Sequence, residues 1–337
     1  MNILNLISEI EKVDPEVYGR LDSRRRVFQH LSGLGGKLAA AAVPLALGTI
    51  FNKAYAGAAS TQATIVEVLN FALALEHLEA NFYNAAINAT TSPQLSANNL
   101  RSLNLIKADE SHHVDFLRTT ILSLNATPVS PAVADFDYTG AQGGIRNPLF
   151  ANVLTNAGTL LDVAQALEDT GVRAYKGSAT DLMTNKTILE AALNIHSVEA
   201  RHASRLRTMR RGGLTPANDR ASFVAPGPNP STLPKSWVSG TDGGGPVPAY
   251  TAPMYGAGAP ANGAAGTIFF PDESNVVQYT ANISTLLVQA AVGLTAGTTE
   301  LTNAASEAFD EPLDMATVKT IARNFVKTGT PTYTFLS

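Results

Sequence analysis

Apolar residues recur every three or four positions through residues 62–211, the spacing that gathers them on one face of an α-helix. A proline at position 93 ends the first run, and the pair Gly212-Gly213 follows the last. The predicted helices are about 62–92, Ala97–Leu124, Ala151–Gly177 and Ala179–Met209. We therefore predict an all-α fold built on a four-helix bundle over residues 62–211.

The segments between and after these helices differ in length and composition. Residues 125–148 are rich in Pro, Asp and Gly and are too long for a tight turn, which predicts one long crossover along the bundle. Residues 212–271 contain 11 Gly and 10 Pro, a density that excludes long helices. This Pro/Gly-rich segment, 212–274, also contains aromatic residues, so we expect it to lie against the bundle; a flexible linker is the alternative.

Helical periodicity returns in residues 275–337. Val277–Ala296 and Asp314–Lys327 predict a C-terminal helical hairpin.

The first 56 residues have the pattern of a targeting segment. Arg24, Arg25 and Arg26 precede an apolar stretch from Leu31 to Phe51, and a small-x-small sequence ends at Ala56. The arginines followed by Val-Phe are typical of a twin-arginine (Tat) signal peptide. An uncleaved membrane anchor is the alternative, and either one predicts a periplasmic, envelope or extracellular protein.

Composition excludes several classes of site. The chain has no cysteine, which rules out disulfides, thiolate zinc sites and cysteine nucleophiles. A net charge of −4 argues against nucleic acid as a partner. Any metal ion must therefore be held by His, Asp and Glu.

Two Glu-x-x-His motifs lie in the second and fourth predicted helices: Glu110 with His113, and Glu199 with His202. Residues three apart share one helix face, so each motif can present a carboxylate and an imidazole to one point.

The first and third helices repeat a different pattern. Glu76 and Glu168 each end an Ala-Leu-Glu sequence, and Tyr83 and Tyr175 follow seven residues later on the same face. The order Glu, Glu-x-x-His, Glu, Glu-x-x-His is thus an internal repeat of a helix pair. Four inward glutamates would repel one another unless cations neutralise them. Two divalent ions balance four carboxylates, and this ligand set suits Fe or Mn, with Zn also able to bind.

This arrangement resembles the ferritin-like superfamily. Two stretches, 68–79 and 308–313, more closely resemble the ferritin-like family that includes bacterial and plant desiccation-related proteins. The resemblance implies Glu76 and Glu168 as outer metal ligands, Glu110 and Glu199 as bridging ligands, and one ligand to each metal from His113 and His202. It implies that Tyr83 and Tyr175 donate to the carboxylates or undergo one-electron oxidation; the alternative is that they only pack in the core.

Neighbouring polar residues are given simpler roles. Glu79 is a candidate spare ligand, whereas Asp109 and Asp169 are expected to be solvated. The basic run Arg201, Arg205, Arg207, Arg210 and Arg211 is expected to form a solvated helix face.

Two functions remain open. The first is an exported dimetal oxidoreductase that reacts with O2 or hydrogen peroxide, as ferroxidase-like or manganese-catalase-like proteins do. The second is a structural or desiccation-protective envelope protein that self-associates as a homo-oligomer and uses metal for stability.

Overall fold

The computed structural model describes residues 62–88, 95–210, 238, 253–259, 270–278, 281–282, 302 and 305–337. The predicted targeting segment, 1–56, and most of the Pro/Gly-rich segment, 212–274, lie outside these residues, so the domain bounds stay predictions. Within the described residues, none of the helices combines the length and the apolar character needed to span a bilayer.

Four long helices form the bundle, and their apolar faces make its core. They are α1 (Gln62–Asn88), α2 (Ala97–Ser123), α3 (Ala157–Ser178) and α4 (Lys186–Arg210). Helix α1 packs along α2, and α3 packs along α4. Side chains from the predicted inward positions, such as Leu75, Phe82 and Leu103, are buried between them. The helical bundle is therefore confirmed.

Helices α3 and α4 begin six or seven residues later than predicted because asparagine caps set their starts. The Asn156 side chain accepts a hydrogen bond from the Thr159 amide (3.0 Å). The Asn185 side chain accepts one from the Ile188 amide (3.1 Å). Each cap satisfies an amide that has no partner within its helix. Before α4, residues Ala179–Leu182 form a 3-10 turn instead of a continuous helix.

The predicted crossover links α2 to α3 and is tied down at both ends. Asn70 of α1 donates to the Thr127 carbonyl (3.3 Å) and accepts from the Val129 amide (2.8 Å). Farther along, Phe136 pairs with Val326 in an isolated antiparallel bridge. The crossover thus packs against the C-terminal part of the chain.

The C-terminal region only partly follows the predicted hairpin. Helix α5 (Met315–Ala322) is capped by Asp314 and is shorter than predicted, because residues Arg323–Phe325 tighten into a 3-10 turn. Helix α6 (Pro331–Phe335) was not predicted. The prediction of a helix from Val277 is wrong at its start: Val277–Gln278 (β1) and Ala281–Asn282 (β2) form a short antiparallel pair. Residues 283–301 lie outside the described part.

One buried arginine joins α3 to the segments that follow the bundle. Arg173 is fully buried and forms an ion pair of 2.8 Å with Glu273. Its guanidinium also donates to five backbone carbonyls, those of Met254, Gly256, Pro271, Glu311 and Pro312. Burying a charge is favourable only when it is paired and hydrogen-bonded. This network therefore fixes residues 254–256, 271–273 and 311–312 against α3.

Candidate metal centre

The six predicted ligands meet at one level of the bundle. Their side chains come from all four helices and form two groups, within each of which the candidate ligand atoms lie within 4.8 Å of one another. The first group is Glu76, Glu110, His113 and Glu199; the second is Glu110, Glu168, Glu199 and His202. All six residues are buried.

Glu110 and Glu199 belong to both groups, the placement that bridging carboxylates require. Each imidazole directs Nδ1 at the carboxylates. His113 Nδ1 lies 3.1 Å from Glu76 and 3.2 Å from Glu110. His202 Nδ1 lies 2.7 Å from Glu110 and 3.2 Å from Glu168. The arrangement gives two adjacent positions, each surrounded by carboxylate oxygens and one imidazole nitrogen.

Burial of two glutamates and the close approach of the carboxylates raise the pKa values of three of the six candidate ligands. Burial, reinforced by the charge of Glu199, raises the pKa of Glu110 well above its usual range. Burial and the charge of Glu168 do the same to the pKa of Glu199. Burial alone would lower the pKa of His202, but Glu168 and Asp109 outweigh it and raise that pKa. A cation that binds here would compete with the protons that these raised pKa values favour.

Glu199 shows most directly that a cation fits. It is fully buried, and neither of its carboxylate oxygens accepts a hydrogen bond from any residue that the structure describes. His113 Nδ1 lies 3.5 Å from one of these oxygens, too far and too poorly aligned for a hydrogen bond. A buried carboxylate without hydrogen bonds is costly, and a metal ion is the partner that the surrounding oxygen and nitrogen atoms could share. Four carboxylates and two imidazoles are hard and borderline donors that suit Fe, Mn or Zn.

The two tyrosines bond to the glutamates of the opposite half of the repeat. The Tyr83 hydroxyl of α1 donates to Glu168 of α3 at 2.5 Å. The Tyr175 hydroxyl of α3 donates to Glu76 of α1. Burial and the nearby carboxylates raise the pKa of both phenols well above its usual value, so both remain neutral donors. Both tyrosines therefore donate to ligand carboxylates as predicted, and each hydrogen bond joins α1 to α3.

One contact distinguishes the two halves of the site. Asp109 accepts a hydrogen bond from Nε2 of His202 at 3.1 Å, although the Asp109 side chain is 49% exposed. Val198 occupies the equivalent position before Glu199 in the repeat. Among the described residues, no carboxylate contacts Nε2 of His113. A carboxylate behind an imidazole fixes its orientation and raises its basicity. The expectation of a merely solvated Asp109 was therefore wrong.

The repeat also differs three residues after each lone glutamate, where Glu79 corresponds to Gly171. A Cβ on Gly171 would lie 2.5 Å from a carboxylate oxygen of Glu199, so glycine leaves the space that this carboxylate occupies. Glu79 is buried, and burial with the charge of Glu168 raises its pKa well above its usual range. Within the described part of the chain, neither ligand group includes Glu79.

A second buried polar network lies next to the ligands. Asp169 and Arg207 are fully buried and form an ion pair of 2.5 Å. The Tyr255 hydroxyl donates to the same carboxylate at 2.6 Å. Asp169 and Arg207 were both predicted to be solvated. The prediction was wrong because the segment around Tyr255 covers this face of α3 and α4. The helical pattern of the bundle alone carries no information about that cover.

Comparison with protein families agrees with the geometry. The model of the family described as "Ferritin-like domain" matches residues 64–211, which include all four helices except the first two residues of α1. Residues 64–211 form a ferritin-like domain. No curated protein and no solved structure gives a significant match. The ferritin-like domain thus contains every residue of the candidate metal centre, whereas α5 and α6 lie beyond it.

Proposed function

We propose that the ferritin-like domain holds a pair of Fe or Mn ions between Glu110 and Glu199, and that this pair reacts with O2 or hydrogen peroxide. The observation that carries the proposal is Glu199, which is shared by both ligand groups, buried, and without a hydrogen bond from the described residues. The match of residues 64–211 to the ferritin-like domain family supports the same interpretation.

The residues of the site would have different roles in binding and positioning the metal ions. Glu76 and His113 would hold one ion, Glu168 and His202 would hold the other, and Glu110 and Glu199 would be shared between them. Tyr83 and Tyr175 fix the outer carboxylates by donating a hydrogen bond to each. Burial of all six ligands keeps bulk water away. A bound Fe or Mn pair would supply one-electron redox chemistry toward O2 or hydrogen peroxide.

Export belongs to the same proposal. The arginine-rich start, the apolar stretch and the small-residue site before Gly57 favour a protein of the periplasm, cell envelope or extracellular space. Mass spectrometry of the N-terminus of the secreted protein tests this directly, with a mature chain that begins near residue 57 as the expected result. A chain that keeps Met1 and stays in the cytoplasm would contradict export.

Elemental analysis of the purified protein, with O2 and peroxide consumption on the same sample, tests the redox function. We expect about two Fe or Mn ions per chain and turnover of one oxidant. Glu110→Gln and Glu199→Gln should each lose metal and turnover, since each removes a carboxylate shared by both positions. Glu190→Gln is the matched control because Glu190 is an exposed glutamate of the same helix as Glu199.

Each departure from that result has a defined meaning. Two ions without turnover would favour the structural, desiccation-protective function, with metal as a stabilising element. No metal in the purified protein and none after reconstitution would refute the metal centre itself. Retention of both ions by Glu199→Gln would refute its role as a shared ligand.

A further inference from the structure

A cavity lies inside the bundle within two helical turns of the candidate metal centre. All four helices line it, with Ala72 and Leu75 from α1, Leu117 from α2, Tyr175 from α3 and Ala192 from α4. Its open space holds about one or two molecules of the size of water. The cavity is therefore too small for an organic substrate of any length and suits a diatomic or triatomic molecule.

Apart from the hydroxyl groups of Tyr175 and Ser178, the lining consists of hydrocarbon side chains. Nearly all of the surface that faces the cavity is apolar. Tyr175 brings a hydroxyl near it, but that hydroxyl already donates to Glu76. A molecule inside would therefore find no free hydrogen-bonding group on this tyrosine. Apolar cavities of this kind stay dry and bind apolar gases.

The position of the cavity connects it with one of the two metal positions. Leu75 directly precedes the ligand Glu76, and Leu117 follows the ligand His113 by one helical turn. Tyr175 lines the cavity and bonds to Glu76. On its outer side the cavity reaches Phe116, whose side chain is partly exposed. The cavity thus extends from Phe116, at the surface, to Tyr175, which bonds to the candidate ligand Glu76.

These features separate the two oxidants of the proposed function. Hydrogen peroxide carries two hydroxyl groups, and each would lose its hydrogen bonds to water on entering an apolar cavity. O2 has no such groups and gains by leaving water for an apolar environment. Building on the proposed function, we propose that this cavity is a binding site for O2 that supplies the metal pair, and that peroxide does not use it.

Xenon is the probe for the gas site, because it binds apolar cavities and is visible by anomalous diffraction. We expect a xenon peak between Ala72, Tyr175 and Ala192 in pressurised crystals of the full chain. Ala192→Leu should abolish the peak, since three added carbons fill the space. Ala72→Val is the milder replacement if Ala192→Leu does not fold. Absence of the peak in the unmodified protein would overturn the proposal.

Stopped-flow oxidation of the Fe2+-loaded protein tests the supply of O2. Ala192→Leu should slow oxidation by O2 at least tenfold, while oxidation by peroxide and the iron content stay unchanged. Ala191→Leu is the matched control, because this neighbouring residue does not line the cavity. Equal slowing of both oxidants would overturn the proposal, as would unchanged oxidation by O2 in a variant whose cavity is filled.

The same measurements separate failure of this inference from failure of the proposed function. A xenon peak in a protein that consumes neither oxidant would refute the redox function and the supply of O2, and would leave only a gas-binding cavity. Consumption of O2 without a xenon peak would refute the cavity site and leave the redox function standing.

Discussion

Replacing Gly171 with alanine should weaken metal binding while leaving the fold intact. The added Cβ would lie 2.5 Å from the outer oxygen of Glu199 and 3.2 Å from its carboxyl carbon. Carbon and oxygen do not approach so closely, so the carboxylate must move by about 0.5–1 Å, whereas a functional ligand tolerates about 0.5 Å. Because Glu199 belongs to both ligand groups, both metal positions are disturbed.

The magnitude follows from two opposing effects on the metal-free protein. Alanine in the helix interior contributes about 1 kcal/mol relative to glycine, and overpacking costs about 1–3 kcal/mol. The unfolding free energy should therefore fall by no more than about 2 kcal/mol. A hundredfold loss of metal affinity removes about 2.7 kcal/mol of metal-induced stabilisation. At about 2–4 °C per kcal/mol, the rise in Tm on adding metal should shrink by about 5–10 °C.

Differential scanning calorimetry with and without Mn2+, together with the metal content after dialysis, measures both effects. Gly158→Ala is the matched control in the first turn of the same helix, where the added Cβ meets only the Asn156 side chain, at 3.1 Å. It should keep the full metal-induced rise in Tm. If Gly171→Ala retains two ions at the original affinity, the position of Glu199 is not what holds the metal, and the reasoning is refuted.

Three further predictions concern the surroundings of the ligands. Tyr83→Phe removes a buried donor to a carboxylate and should lower the unfolding free energy by about 1–3 kcal/mol in urea titrations; an unchanged midpoint would contradict this. Asp109→Asn removes the carboxylate behind His202 and should weaken one of the two metal-binding steps about 10–100-fold in calorimetric titrations with Mn2+. Asp115→Asn, at an exposed position of the same helix, should weaken neither step. Equal weakening of both steps would contradict a role of Asp109 at one metal position only. Because the pKa values of Glu110 and Glu199 are raised, metal binding should release protons and should tighten as the pH rises. Titrations in buffers of different ionisation enthalpy measure this release, and none at all would refute the prediction.

The ligand set could be predicted from the sequence because it depends on spacing within single helices. Residues three apart share a face, so Glu110 with His113 and Glu199 with His202 could be paired without knowing the fold. The tyrosines show the limit of that argument. Tyr83 lies seven residues, or about 10.5 Å along the axis, from Glu76, too far to donate to it. It reaches Glu168 instead, a contact set by the stagger between α1 and α3.

The residues around the six ligands are harder to predict, because their burial depends on segments that are far away in the sequence. Nothing in the helical pattern of α4 distinguishes the buried Arg207 from the exposed Arg201, or from Arg210, which pairs with Asp162 instead of being solvated as predicted. Arg207 is buried because Asp169 lies opposite and because Tyr255, nearly fifty residues later, covers the pair. Likewise Gly171 looks like a mild helix breaker in the sequence. Its role becomes visible only when Glu199 of another helix occupies the space above it.

The contacts of Arg173 mean that the ferritin-like domain cannot be treated as an independent folding unit. The residues that must fold together extend beyond the residues that match the family. The family match ends at residue 211, and a fragment cut there would keep all six candidate ligands. It would also strip the cover from α3: the acceptors of Arg173 would be gone, and the apolar surface beneath Leu313 and Ile321 would face water. Recombinant fragments and domain transplants should therefore carry residues through 337.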